Sequence, residues 1–410
     1  MANTIKTLSA GDITRKALSL LHNNLVFTKT INREYDSRFA RSGAKNGGTL
    51  LIRQPNQFTI RTGQTMDTQD VTEETQTLTL ATQMGVDVNF SSVELTLSLD
   101  DFADRILNPA MARLAAEVDK TVIEACYPYV YNLDHGAFGT VPTIANVLAA
   151  RALLQKGLAP AGNRSCMMDA LAAGGVITAG YNIFNPASEI SRQYDTGLIG
   201  QVYGFKFYES EMTPTHTNGS RTDATPRVNC TVFANSSGVE YCHMTANATG
   251  TTIKAGDIFT VADVYAANPE TKARYQHLQQ FSVTADITAT TTLMTIAISP
   301  RIYGSGPKQN VVMATISMSG TATWVASGGS GTASTSFVHS LAYHRDAFTA
   351  VFADLEMPRG VHFAAREVYD GISLRIVRQY DVVNDKFPCR IDVLFGQKTI
   401  RPEWACRIGS

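Results

Sequence analysis

One stretch limits the architecture more than any other. From residue 227 to about 327 the chain offers strand after strand and no good helix: VNCTVFA, TIKAGDIFTVADVYAA, QQFSVTADITAT, LMTIAISPRIY and NVVMATISMS. Short strands with frequent turn signals predict a small barrel or sandwich. Polar runs flank the stretch, TPTHTNGSRTDATP at 213–226 and GGSGTASTS at 328–336. Gly/Ser-rich chain of the second kind behaves as a flexible tether. A domain held between two such linkers is inserted into a host, so the host must be built from two sequence-distant pieces.

The first piece contains the clearest helix. In NPAMARLAAEVDKTVIEACY, 108–127, the Asn108 side chain is suited to cap and Pro109 to open the first turn. Met111, Leu114, Ala115, Val118, Val122, Ala125 and Cys126 recur at three- and four-residue spacing as one apolar stripe, with Arg113, Glu117, Asp119, Lys120 and Glu124 mostly between them. About twenty helical residues span about 30 Å, which makes this stretch a spine. A shorter amphipathic helix is expected over 11–22, with Ile13, Ala17, Leu18, Leu20 and Leu21 apolar, and another over 142–155 with Gly157 as its stop signal.

Between the first helix and the spine lie two runs with period-two patterning. Leu50, Ile52, Phe58 and Ile60 share one face; Leu78, Leu80, Met84, Val86, Val88 and Phe90 share another, with Thr77, Thr79, Gln83, Asp87 and Asn89 opposed. Between them, 62–76 is polar and uncharged except for Asp67, Asp70, Glu73 and Glu74. The pattern predicts a long projecting hairpin with an acidic tip. Such a ribbon cannot bury its apolar face alone, so a neighbouring subunit is a candidate cover. After the inserted stretch, LAYHRDAFTAVFADLEMP resumes the host, strands are expected at 372–381 and 389–396, and KTIRPEWACRIGS reads as a tail.

At 410 residues the chain exceeds one ordinary core, so two or three domains are expected. Net charge is −1, which points to neither nucleic acid nor membrane. Charged residues make up 17%, below the roughly 25% of ordinary soluble proteins. That fits a Thr-rich β protein, or a chain that hides surface against copies of itself. Locally the charge is uneven. Residues 1–50 hold eight Lys/Arg against three Asp/Glu (+5), 51–100 hold two against seven (−5), and 371–410 hold seven against four (+3). The acidic tip is therefore expected to dock on basic residues of an adjacent subunit, with Arg33, Arg38 and Arg41 in the arm or Arg375 and Arg378 in the returning strand as candidates. No lysine lies between Lys45 and Lys120, so the loop offers no amine for a covalent cross-link.

The six cysteines are scattered without a CxxC pair and read as reduced thiols. No signal peptide opens the chain and no apolar run reaches membrane-spanning length. Catalytic patterns are missing too. His344-Arg345-Asp346 spells a kinase tripeptide without its downstream Asn, GGSG lacks the Lys of a phosphate loop, and Cys242-His243 with Cys230 lacks zinc-site spacing. Neither an enzyme nor a cofactor or metal is expected.

Five stretches carry a family likeness: LSLDDFADRILNPAMARLAAEVD, GLIGQVYGFKFYES, IKAGDIFTVADVYAANPETK, LAYHRDAFTAVFADLEMP and GISLRIVRQYDVVNDKFPCRIDVLFG. In their order the chain resembles the major capsid proteins of tailed phages, specifically podovirus-type coat proteins with an insertion domain, of the Salmonella phage P-twenty-two kind. The resemblance implies an α+β chain with the Hong Kong 97 capsid fold. Its expected parts are an N-terminal arm (1–45), an extended β-hairpin loop (46–90) and a peripheral domain with the spine helix (91–160). An axial domain (161–218), an inserted all-β barrel (219–338) and return strands completing both host domains (339–410) follow. It further implies hexamers and pentamers of an icosahedral shell around double-stranded DNA bound without sequence specificity. Scaffolding and portal proteins are the implied partners, and assembly is implied in the bacterial host cytoplasm. A β-rich surface or secreted binding protein is the rival reading, and it would need an export signal.

Overall fold

The structure, a computed structural model, describes residues 10–33, 49–91, 107–135, 140–180, 200–220, 226–230, 239–245, 249–325 and 336–409, apart from 59, 67, 69–72, 74, 292 and 314–317. Strand exceeds helix by two to one, 46% against 23%, and the class is α+β. The chain divides into two compact units. The first comprises Met1–Arg53, Thr75–Val122 and Phe348–Lys398; the second comprises Gln54–Glu74, Ile123–Ala347 and Thr399–Ser410.

In the first unit the N-terminal helix spans Ala10–Asn24 and buries Ala17, Leu18 and Leu21, three of its predicted apolar residues. The spine helix spans Asn108–Cys126, and Met111, Leu114, Ala115, Val118, Val122 and Cys126 are buried as the periodicity requires. Two assignments change: Ile123 is buried and Ala125 exposed, so the stripe drifts around the helix toward its C-terminus.

The hairpin is shorter than its pattern suggests. Thr49–Arg53 pairs antiparallel with Thr75–Thr79, in register Thr49↔Thr79 through Arg53↔Thr75. The second run then breaks after Leu80, and Thr82–Ser91 leaves the ribbon to pair with Lys386–Thr399. Period two survives in that piece, since Met84, Val86 and Val88 are half-buried while Gln83, Asp87 and Asn89 are exposed. The long returning strand also pairs with Ile372–Arg378, which pairs in turn with Phe363–Tyr369. Between the last two, Asp370 and Gly371 take φ of +48° and +78°, the left-handed pair that a tight two-residue hairpin turn demands.

In the second unit a mixed sheet runs Leu133–His135, Ala405–Gly409, Ser336–His344, Arg164–Met168, Phe205–Glu209 and Gln201–Val202. The helix Ile144–Lys156 packs on it, started by a capping box in which Thr143 and Asn146 satisfy each other's backbone N–H groups. The expected tail is a correction: Ala405–Gly409 is a fully buried strand inside this sheet. A second helix, Ala170–Gly180, also escaped the sequence reading.

The inserted stretch forms a closed six-stranded barrel. Its strands neighbour one another in the order Arg274–Val283, Leu293–Ile302, Val239–Thr245, Arg227–Cys230, Met318–Trp324 and Ile258–Ala267, and the last pairs back onto the first. Phe259, Phe281, Trp324, Ile296 and Met244 fill it, with the Phe259 and Phe281 rings 5.7 Å apart. Closure removes the free sheet edges that short strands would otherwise expose. Cys242 corrects the expectation of thiols throughout, because it is disulfide-bonded. Cys126, Cys166, Cys389 and Cys406 are free and buried.

Candidate functional site

The loop Gln54–Glu74 carries the site expected from the sequence. Ile52 and Leu78, on one face of the ribbon below it, are buried. Beyond the ribbon the apolar residues face solvent: Phe58 is 58% exposed, Ile60 94% and Met66 76%, with Leu51 at 62% on the ribbon itself. The loop has local order, because the Arg61 guanidinium donates to the carbonyls of Gly63 and Thr65, the latter at 3.0 Å. Gly63 sits at φ +107°, open to glycine and strained for other residues. Arg61 was not singled out by its sequence pattern, since nothing local distinguishes it from a solvated charge.

Of the acidic tip, Glu73 is exposed, while Asp67, Asp70 and Glu74 lie outside the described residues. Arg38 and Arg41 lie outside them as well. The three remaining arginines each have a partner within the first unit. Arg33 donates to the Asp370 carboxylate and carbonyl, both at 2.8 Å, and its side chain is only 10% exposed. The same carboxylate meets His22 Nε2 at 2.8 Å, so one turn residue holds two groups of the N-terminal segment. Arg375 donates to Asp392 Oδ2 and to the Glu356 carbonyl, each at 2.6 Å. Arg378 lies over the rings of Phe363 and Phe387, at 5.3 and 5.7 Å. On the neighbouring returning strand, Arg390 is more open, its side chain 57% exposed, with Asp392 at 2.8 Å and Asp87 at 3.9 Å. Sequence reasoning missed Asp370 and Asp392, whose pairings depend on strands distant in the chain.

The discarded motifs have structural explanations. His344 ends a strand, and its Nδ1 accepts the backbone N–H of Asp346 at 3.2 Å, closing a turn. His243 Nδ1 lies 3.2 Å from Thr295 Oγ1 across two barrel strands. Among the described residues no group of three or more His, Cys, Asp or Glu is gathered for a metal ion, and no helix is long and apolar enough to cross a membrane.

The sequence matches the family model described as "P22 coat protein - gene protein 5" over residues 13–407. Curated proteins yield no match. Among solved structures, one of Mycobacterium phage Che8 shares 12% identity at a TM-score of 0.48, with 94% of this chain and 90% of that one covered. The capsid of Ralstonia phage GP4 shares 8% identity at 0.43, covering 94% and 88%. The mature capsid of bacteriophage PhiM1 shares 11% at 0.41, covering 88% and 81%. At these scores the structural likenesses add no weight to the family match.

Proposed function

The chain belongs to the P22 coat protein family and is a major capsid protein that forms a phage shell, and from this premise we propose how its parts divide that work. The shell is icosahedral, built of hexamers and pentamers, and encloses double-stranded DNA without reading its sequence. Scaffolding and portal proteins take part in assembly, which proceeds in the host cytoplasm. Residues 1–45 act as an arm, 46–90 as the extended loop, and 91–160 and 161–218 as peripheral and axial domains completed by 339–410. Residues 219–338 form the inserted barrel. One observation carries the reading of the loop: Phe58, Ile60 and Met66 stand exposed in the segment between the two ribbon strands. A two-stranded ribbon has no means of covering such residues itself, and a neighbouring copy in a shell does.

The acidic tip then docks on that neighbour. Arg33, Arg375 and Arg378 already have intrachain partners, so a carboxylate arriving there shares a cation instead of meeting a free one; Arg38 and Arg41 complete the candidate set. An exposed pair is worth only about 0.2–1 kcal/mol, but a closed shell repeats the contact in every subunit. The test reverses Asp70 and Glu73 to Lys and follows assembly over a range of salt. Docking predicts impaired assembly at low salt, partly rescued by reversing an arginine of the partner face. Unchanged assembly at low salt leaves the acids the simpler role of keeping the tip soluble. The contacts are noncovalent, so mature particles run as single chains on denaturing gels.

A further inference from the structure

At the root of the inserted barrel, within the second unit, five titratable side chains converge, four of them buried and the fifth, Tyr127, half-buried. The strand entering the barrel, Thr215–Thr217, is zipped to the strand leaving it, Ser336–His344, with Phe337 opposite His216. His216 is 2% exposed, and its Nε2 lies 2.9 Å from Asp257 Oδ1 on a barrel turn. The other oxygen of Asp257 accepts the backbone N–H groups of Lys254 at 3.0 Å and Gly219 at 3.3 Å. One carboxylate thus ties the entering chain to the barrel. Tyr127 OH stands 3.3 Å from His216 Nδ1. Gly256 seals the packing at φ +100°, because a Cβ there would sit 3.0 Å from both the His216 and Tyr127 rings.

His339, on the leaving strand, is the odd member. It is 1% exposed, with its ring centroid 4.7 Å from Phe337, 5.7 Å from His216 and 6.3 Å from Tyr127. Neither ring nitrogen meets a hydrogen-bond partner among the described residues. Arg407, 0% exposed, is fixed nearby by the carbonyls of Val130 and Gly256, both at 2.8 Å, and by Ser282 Oγ at 3.0 Å. The seat suits a neutral imidazole and no other form.

We propose that His339 makes the barrel root an acid-sensitive anchor: protonation drives the ring from its apolar seat and parts the zipped strands, while barrel and host sheet each stay folded. The charges around it favour this outcome. Burial comes first in holding the His339 basicity well below the ordinary imidazole value, and then Arg407, His216 and His135 on the strand Leu133–His135, all cationic when charged. The one carboxylate in the cluster, Asp257, is taken up by His216 and two backbone N–H groups. Burial comes first in opposing the ionisation of Tyr127; Arg407 acts the other way, and Glu124, Asp257 and Asp286 reinforce burial. An opened root exposes His339 to water, where it takes up a proton below about pH 6.5. The closed root is therefore fully stable above that value, and its opening grows about tenfold for each pH unit below it.

Hydrogen-exchange mass spectrometry of the full chain between about pH 7.5 and about pH 5.5, with rates corrected for intrinsic chemistry, tests this. Exchange in 214–219, 254–258 and 336–339 should rise about tenfold per pH unit below the ordinary imidazole value, while Phe363–Tyr369 and Ile372–Arg378 keep their protection. His339→Phe, which fills the seat without a titrating group, should flatten the response; His339→Gln replaces it if the first variant does not fold. Root protection that is independent of pH in the natural chain overturns the proposal. So does a folded His339 variant that keeps the natural slope.

Discussion

Asp119 shows how a single side chain can be misplaced by periodicity. Its spacing puts it among the polar residues of the spine, yet it is 3% exposed. Its carboxylate accepts the backbone N–H groups of Val26 at 2.7 Å, Phe27 at 3.1 Å and Thr28 at 2.9 Å, and the Thr28 hydroxyl at 2.6 Å. It therefore caps the short helix Phe27–Thr30 from ninety residues away, a role no local pattern announces. Asp119→Ala leaves buried N–H groups unpaired and should cost at least about 2 kcal/mol, read as a lowered melting temperature of the full chain. His277 makes a second residue-scale prediction. Burial, reinforced by Lys156 with its Nζ 3.3 Å from Nδ1, lowers its pKa to about 4. The folded state thus favours the neutral ring, and the unfolded state takes up a proton first. Stability from this site is complete above about pH 6.5 and falls as the pH drops toward 4. Midpoints of urea unfolding should follow that slope, and His277→Gln should make it shallower; equal slopes in both chains would contradict the assignment.

Among the elements, the spine was legible because it repeats one local rule for nineteen residues, Asn108–Cys126. Leu114 is 3% exposed and Val118 1%. Leu114→Ala should cost about 2–5 kcal/mol, and Val118→Asp more, since it buries an unpaired charge. Loss of soluble protein should precede any change in assembly, and wild-type yield and melting would show the face not to be buried. The barrel was legible for a related reason: repeated short strands with turn signals. It closes on its own core of Phe259, Phe281, Ile296 and Trp324, so residues 219–338 alone should give a dispersed amide spectrum and a cooperative melt. A disordered spectrum would mean that the core depends on host contacts such as Leu133 with Gln280, bonded in both directions at 2.7 and 2.9 Å. The misread elements share a physical cause. The run 78–90 keeps one alternation throughout, but its first part pairs with Thr49–Arg53 and its second with Lys386–Thr399. Alternation reports burial of one face and is blind to the choice of partner strand. Arg407 inside a fully buried strand defeats pattern reading altogether, because its guanidinium is satisfied by carbonyls remote in sequence.

At the scale of the whole molecule, the sequence carried the class, the inserted barrel and the membership in a coat-protein family. The candidate contacts between subunits were legible only as charge blocks and exposed apolar positions, because the groups proposed to complete them belong to another copy. The described candidate arginines have intrachain partners, and the loop residues Phe58, Ile60 and Met66 are among the large apolar side chains left exposed, alongside Leu171, Val382 and Val383. Electron cryomicroscopy of shells assembled from the full chain tests this directly. The account predicts closed shells in which the loop Gln54–Glu74 lies on an adjacent subunit, burying Phe58, Ile60 and Met66 and bringing the acidic tip within ion-pair distance of a basic residue. Small discrete oligomers, or shells in which those three side chains still face solvent, would contradict it.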